Sequence, residues 1–263
     1  MVRDARERNG RRLRCVLAAL TACCAWPVHA QVSGSVGVVS DYRYRGYSLS
    51  DGNPAVQASI AHDWSRGAYA GVFATSTDYA GDTGAQLIPY AGYARRDKQG
   101  RSWDFGVRYS HFTTDSEASY FEAHVGVAFR RAAFRVHYAP DYFGQVSNWY
   151  LEADGSLPIG ERMRWLWHAG VARSGESTER TYSYSPPTYP PPNYAARYAA
   201  YVPVETSDDR TRLDLRTGVA LTTRLCDVQL TWQHVDGDDR TAYAAPYDSR
   251  DRAGWVLGCV HRW

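Results

Sequence analysis

The sequence predicts an all-β protein: a transmembrane, antiparallel, up-and-down β-barrel of about twelve strands, with short periplasmic turns and longer extracellular loops. Three observations carry that expectation. Beyond residue 30, apolar and polar residues alternate with period two along nearly the whole chain, as in strands whose two faces meet different surroundings. The alternating segments run to about ten residues, the length of a tilted strand crossing a bilayer. Charges sit mid-segment on one face, while aromatic residues (Tyr42, Trp64, Trp103, Trp149, Trp165 and Trp263) gather near segment ends, as interfacial girdles require.

The first 30 residues stand outside this pattern. Arg3 to Arg14 form a basic stretch, Cys15 to Ala25 an apolar one too short to span a bilayer, and Val28-His29-Ala30 ends on a small residue. Residues 1–30 therefore read as a secretory signal peptide cut before Gln31, and 31–263 as the barrel. A rival reading is a lipoprotein signal, with Leu20-Thr21-Ala22-Cys23 as lipobox and Cys23 acylated. The leader takes six arginines and two acids from the chain's 30 basic and 28 acidic side chains, leaving 24 basic against 26 acidic. No basic stripe remains to neutralise phosphates, which excludes nucleic acid as a partner. No later stretch is long and apolar enough for a transmembrane helix.

The segments follow in order. Val36, Val38, Tyr42 and Tyr44 share the first apolar face, which points Tyr42 and Tyr44 at lipid; Val56, Ala58, Ile60 and Trp64 share the second. Residues 68–79 alternate ambiguously. Leu87, Pro89, Ala91 and Tyr93 come next, and then the pattern sharpens: Trp103 to Tyr109, Phe121 to Phe129, Phe134 to Tyr138, Trp149 to Ala153, Met163 to Val171 and Leu213 to Leu221. Val228, Leu230 and Trp232, then Trp255, Leu257, Cys259 and Trp263, close the series. Short connections (65–67, 97–100, 130–132, 159–162, 222–225) alternate with longer ones (80–84, 114–118, 144–147, 174–210, 237–251); Asp51–Asn53 is short but falls on the long side. The 174–210 connection carries SYSPPTYPPPNY, which cannot donate many backbone hydrogen bonds. It is expected to be a disordered external loop.

The faces opposite the apolar ones carry the charges. Asp41, Arg43 and Arg45 come from the first segment, Arg108, Glu122 and His124 from the middle of the chain. Arg135, Asp141 and Glu152 follow, then Arg212, Asp214 and Arg216. Facing a lumen, these would line a pore and sort solutes by charge and size, so a passive diffusion channel for small polar or charged solutes is the leading expectation. Opposite charges can also pair into a network that fills a narrow barrel, leaving a non-conducting structural or adhesive one. Small residues on the same face (Gly106, Gly126, Gly170, Gly218, Gly254 and Gly258) suit a crowded, wet interior.

An outer-membrane lipid-modifying enzyme would need a nucleophile and base. The best local cluster is Ser110, His111 and Asp115, but neighbours on a strand face opposite ways, and no GxSxG occurs. No catalytic residues and no cofactor are assigned. The histidines form no HxxxH or HxxE pair, so no metal site is assigned; His124 and His137 share the lumen face on neighbouring strands. Cys226 and Cys259 alone remain after leader removal, in adjacent antiparallel segments. They either form a cross-strand disulfide or sit as two small interfacial residues. The expected partners are outer-membrane lipid and the assembly machinery, which would recognise a terminal strand ending at Trp263. His261 departs from the usual apolar signal.

The run Val39-Ser40-Asp41-Tyr42-Arg43-Tyr44-Arg45-Gly46, with Ser48, Ser50-Asp51-Gly52, Pro54-Ala55 and Gln57, resembles the N-terminal hallmark of the TorF family of proteobacterial outer-membrane porins. Similar patches are Tyr69-Ala70-Gly71-Val72, Tyr90-Ala91-Gly92-Tyr93, Tyr138 to Phe143 and Trp149 to Glu152, so the likeness spans most of the chain beyond the leader. The Pro/Tyr-rich insertion near 180–205 departs from the family pattern and would plug the pore if folded inward. The resemblance implies a porin and supplies no catalytic residues.

Overall fold

The computed structural model describes residues 32–79, 82–175, 182–185, 200–203, 211–237 and 252–263. The leader, including the cleavage point before Gln31, lies outside the described residues. The strands are β1 Val32–Val39, β2 Arg43–Tyr44, β3 Tyr47–Ser48, β4 Ala55–Asp63, β5 Ala68–Tyr79 and β6 Asp82–Arg96. They continue with β7 Ser102–Phe112, β8 Tyr120–Ala128, β9 Ala132–Tyr142, β10 Val146–Pro158 and β11 Met163–Ser174. The last are β12 Tyr182–Ser185, β13 Ala200–Pro203, β14 Thr211–Thr222, β15 Asp227–Gly237 and β16 Ala253–Arg262.

Twelve of these close into one barrel: β1, β4 to β11 and β14 to β16, each beside its sequence neighbour, with β16 returning to β1. The paired strands are antiparallel, and Val36 meets His261 across the β1–β16 seam. Closure satisfies the backbone without leaving an edge, as a strand in hydrocarbon must. Ile60, Phe105, Phe121, Trp149, Leu151 and Trp255 are exposed on the outer wall. An arginine on such a wall would cost ~2–4 kcal/mol at the bilayer midplane; the period-two pattern turns Arg108, Arg135 and Arg212 inward, while the outward Arg95 and Arg173 sit near strand ends. The ambiguous segment resolves with Tyr69, Gly71 and Phe73 inward and Val72 outward, because Tyr69 and Phe73 both line the lumen.

Two connections expected to be long are short. β5 and β6 are separated only by residues 80–81, and β9 and β10 only by 143–145. The latter turn has Phe143 and Gly144 at positive φ (53° and 71°), the signature of a type I′ hairpin turn. Within the 174–210 connection the described residues form a ribbon, β12 pairing antiparallel with β13; the remainder of the expected disordered loop lies outside the described residues.

On the short-turn side, Asp97 organises the β6–β7 connection. Its carboxylate accepts hydrogen bonds from the backbone of Gln99 and Arg101, from Arg101 Nε at 2.7 Å and from Trp103 Nε1. Desolvation pushes this carboxyl's pKa up, but the Arg101 bonds and the Trp103 bond outweigh it and leave the pKa below its ordinary value.

Cys226, just before β15, is bonded to Cys259 on β16, with 5.8 Å between Cα atoms and 33 residues of sequence separation. On the chain-entropy model a loop of that length contributes about 3–4 kcal/mol. Replacing both cysteines with serine is expected to lower the unfolding free energy of the detergent-folded barrel by that amount, read as a lower urea midpoint. An unchanged midpoint would show that the bond adds nothing to stability.

Candidate functional site: a hairpin tethered across the lumen

The first connection does not continue a strand and does not leave the barrel. After Val39 the chain turns inward, forms the two-residue strands β2 and β3, and returns to β4. Arg43 pairs with Ser48 and Tyr44 with Tyr47. Arg45 and Gly46, at φ 49° and 88°, make the tip, again with positive φ at both central positions. Positive φ at a residue with a long side chain costs ~1–3 kcal/mol and persists only where surroundings over-determine it. A second such turn, Asp51-Gly52 (φ 51° and 72°), leads out of the hairpin.

Asp41 fastens the base. It accepts a hydrogen bond from Ser48 Oγ and forms an ion pair with Arg43 Nε, each at 2.5 Å. The backbone of Leu49 donates to Tyr42 O at 2.7 Å, and that of Tyr42 to Ser50 Oγ at 2.8 Å. The sequence expectation that Tyr42 and Tyr44 face lipid is therefore corrected. Tyr42 is buried and donates to Gln86 Oε1 on β6 at 2.8 Å. Tyr44 Oη accepts from Arg108 on β7 at 2.6 Å and from Tyr120 on β8 at 3.1 Å. Alternation in this stretch separates the two sides of a hairpin inside the barrel, rather than lipid from lumen.

The tip is held from three directions. Arg45 Nη2 lies 2.6 Å from Glu122 Oε2 on β8, and Nη1 donates to Asn148 Oδ1 on β10 at 3.3 Å. Its guanidinium carbon sits 4.0 Å from the ring centre of Tyr150 and near those of Tyr44 and Tyr142. Gly46 abuts the opposite wall, where a Cβ would fall 2.8 Å from Val235 Cβ and 3.0 Å from Asp214 Cβ. Tyr47 lies under Arg212, 4.5 Å from ring centre to guanidinium carbon. An apolar cluster packs around it at the loop-side end: Tyr42 and Leu49 with Phe112, Tyr120, Tyr142 and Phe143, among others.

The remaining charges on the inner wall form a connected network. Glu122 is 1% exposed and takes Arg45, Arg108 and His137 together. Glu152 takes Arg135 at 3.0 Å and His137 at 3.1 Å. His124 meets Asp104 at 3.1 Å, and its ring centre lies 5.4 Å from that of His137. His168 lies 2.8 Å from both Asp154 and Asp214, and Arg216 reaches Asp154 at 3.1 Å. Cross-strand register makes several of these contacts: Arg108 faces Glu122, Glu152 faces Arg135 and Asp154 faces His168.

Among the residues singled out from sequence, Asp41, Arg43 and Arg45 belong to the inner hairpin. Arg108, Glu122, His124, Arg135 and Glu152 stand on one side of it, and Arg212, Asp214 and Arg216 on the other. Asp141 does not join them and is corrected. The β9–β10 register shifts between Val146 and Asn148, and beyond the shift Tyr142 is inward and Asp141 exposed. Ser110 and His111 do not meet: Ser110 is buried inside, whereas His111 Nδ1 lies 3.2 Å from Ser119 Oγ and its ring stacks on Tyr109. Sequence reasoning does not single out Gln86, Asn148 or Tyr150, because nothing local marks them as receivers of a hairpin. Glu152, Asp154 and His168 bring one ligand atom each within 4.8 Å of one another, a grouping that spacing does not reveal. Arg135 and Arg216 already lie against these carboxylates.

Cavities flank the hairpin. One of about 470 Å³ lies toward β5–β10, and one of about 350 Å³ lies toward β1 and β14–β16. Asp41, Arg43, Gln57 and Arg216 border the second.

Solved structures share this architecture. The chain is similar to a structure described as the KdgM porin, at 6% identity and a TM-score of 0.50, covering 88% of this chain and 98% of that one. It is also similar to the NanC porin, at 12% identity and a TM-score of 0.47 over 88% and 98% of the two chains. LpxR from Salmonella typhimurium matches at 9% identity and a TM-score of 0.45 over 88% and 99%. At 6% identity the likeness to the KdgM porin is one of fold. No curated protein matches the sequence. Residues 25–186, more than half of the chain and including the whole inner hairpin, match the model of a bacterial family of unknown function, Gcw_chp, and the chain belongs to that family.

Proposed function

We propose that the protein is an outer-membrane porin of restricted bore, a passive channel for small polar or charged solutes. The observation that carries this reading is the pair of cavities, about 470 and 350 Å³, left beside the inward hairpin and bordered by charged side chains. A barrel with a lipid-compatible exterior and a polar interior of this kind conducts if those spaces join the two ends. The resemblance of residues 39–57 to the TorF porins points the same way, as does the leader-like pattern of residues 1–30. Asp41, Arg43, Arg108, Arg135, Glu152 and Arg216 are the proposed pore lining. Single-channel recording of the folded chain in a planar bilayer tests the reading. Discrete ohmic steps, smaller than those of a barrel with an open centre, are the expected result; a folded barrel that gives no steps overturns it.

A second reading has its own observation. The apolar cluster around Leu49, Phe112, Tyr120 and Phe143 packs like a small protein core inside the barrel. If that cluster closes the bore, the protein is a non-conducting barrel whose role lies at its surface.

A further inference from the structure

The larger cavity has two unlike walls. Its volume of about 470 Å³ falls within the ~300–1,000 Å³ of small-molecule sites. One wall is aromatic and apolar: Tyr42 and Tyr44 from the hairpin, Tyr69 and Phe73 from β5, Ile88 and Tyr90 from β6. The other carries Asp104, Arg108, His124, Arg135, His137 and Glu152.

Glycines set the posture of two of the tyrosines. Tyr69 stands opposite Gly92, and Gly92 opposite Gly106. A Cβ on Gly92 would fall 2.3 Å from Tyr69 Oη, and one on Gly106 would fall 2.7 Å from it. Tyr69 therefore reclines from β5 across β6, and its hydroxyl donates to Asp104 on β7 at 2.7 Å. Tyr90 lies the same way over its partner Gly71, with Oη and Cζ 2.5 and 2.6 Å from the missing Cβ. Both rings border the cavity over bare backbone, with their planes tilted 54° to each other. The two ring centres are 6.2 Å apart.

The polar wall is charge-balanced. Arg45 and Arg108 share Glu122, and Arg135 lies between Glu152 and Asp104. On the wall itself two guanidiniums, Arg108 and Arg135, thus stand with two carboxylates, Asp104 and Glu152, and behind it Arg45 shares Glu122 with Arg108. An anion would have to displace a carboxylate already in place, and a cation an arginine. A molecule with an apolar face and an edge of hydroxyls displaces neither, because each hydroxyl both donates and accepts. A pyranose ring has that form, with C–H bonds on its faces and hydroxyls around its rim.

We propose that this cavity is a binding subsite for neutral pyranose saccharides, with Tyr69 and Tyr90 carrying the sugar face and Arg108, Arg135 and Glu152 bonding its hydroxyls. The inference deepens the porin reading by naming a solute class. Its test does not depend on conduction. The full chain, folded in a sugar-free detergent such as lauryldimethylamine oxide, is titrated calorimetrically with maltotriose, glucuronate and glucosamine. Saturable heat with maltotriose, and little with the two charged sugars, is the expected result. Tyr90→Leu should weaken maltotriose binding about tenfold, the loss of one ring contact, while Tyr90→Phe leaves it unchanged. Absence of maltotriose heat in the wild-type barrel overturns the proposal without reference to any variant. So does tighter binding of glucuronate or glucosamine, or equal binding by Tyr90→Leu and wild type. A barrel that binds maltotriose but passes no current keeps the subsite and loses the porin; one that conducts but binds no sugar does the reverse.

Discussion

Replacing Arg43–Ser48 by Asn-Gly is expected to raise the unitary conductance of the barrel several-fold. The graft is geometrically mild. Tyr42 and Leu49 already face each other at the base, with a backbone hydrogen bond of 2.7 Å between them, and Asn-Gly is the preferred two-residue type I′ link for such a pair. The change removes Tyr44, Arg45, Gly46 and Tyr47 from the centre of the lumen, so the spaces of about 470 and 350 Å³ on either side become one. The wall strands keep their ladders, because the hairpin pairs with itself and reaches the inner wall largely through side chains. Glu122 loses Arg45 but retains Arg108 and His137. Planar-bilayer recording of the two proteins side by side decides the matter. Equal conductance would mean that the hairpin is not what restricts the bore.

Glu122→Gln should be the most destabilising single change on the inner wall. The substitution keeps size and shape and removes one charge, leaving the buried Arg45 guanidinium and that of Arg108 without their shared carboxylate. Removing one partner from a buried ion pair typically costs ~3–5 kcal/mol. Arg45 also loses part of what holds it at φ 49°, so the hairpin tip should loosen as well. Urea unfolding in micelles, followed by heat-modifiable gel migration, gives the magnitude. Adding Arg45→Met should restore part of the loss, since an apolar chain needs no counter-charge there. A loss below about 1 kcal/mol for Glu122→Gln would show that the lumen is wet enough to screen the pair.

The barrel was legible because its physics is periodic. Lipid and lumen lie on opposite faces of every wall strand, so Trp103 to Tyr109 or Phe121 to Phe129 announces an inside and an outside within a few residues. The inner hairpin was not legible for the same reason. Asp41, Arg43 and Arg45 alternate with Tyr42 and Tyr44 as regularly as any wall strand, and only the turn separates the two cases. Arg45-Gly46 is a weak turn signal beside Asp51-Gly52, because arginine seldom takes positive φ. Asp141 failed for a different cause, a register shift that period two cannot foresee. The pairing of Arg108 with Glu122, or of Glu152 with both Arg135 and His137, depends on which residues stand opposite each other, and that is a property of closed sheets rather than of local sequence.

The inward course of residues 40–54 also changes what the barrel shows to its surroundings. A connection at the long-loop end of a barrel would ordinarily offer its peptide bonds to proteases and its side chains to antibodies or phage. Here the bonds after Arg43 and Arg45, which trypsin would cut in an open loop, are folded behind a wall of β-sheet, with Arg45 only 7% exposed. Asp41, Tyr42 and Arg45, all buried, are thereby withheld from a protease that approaches the rim.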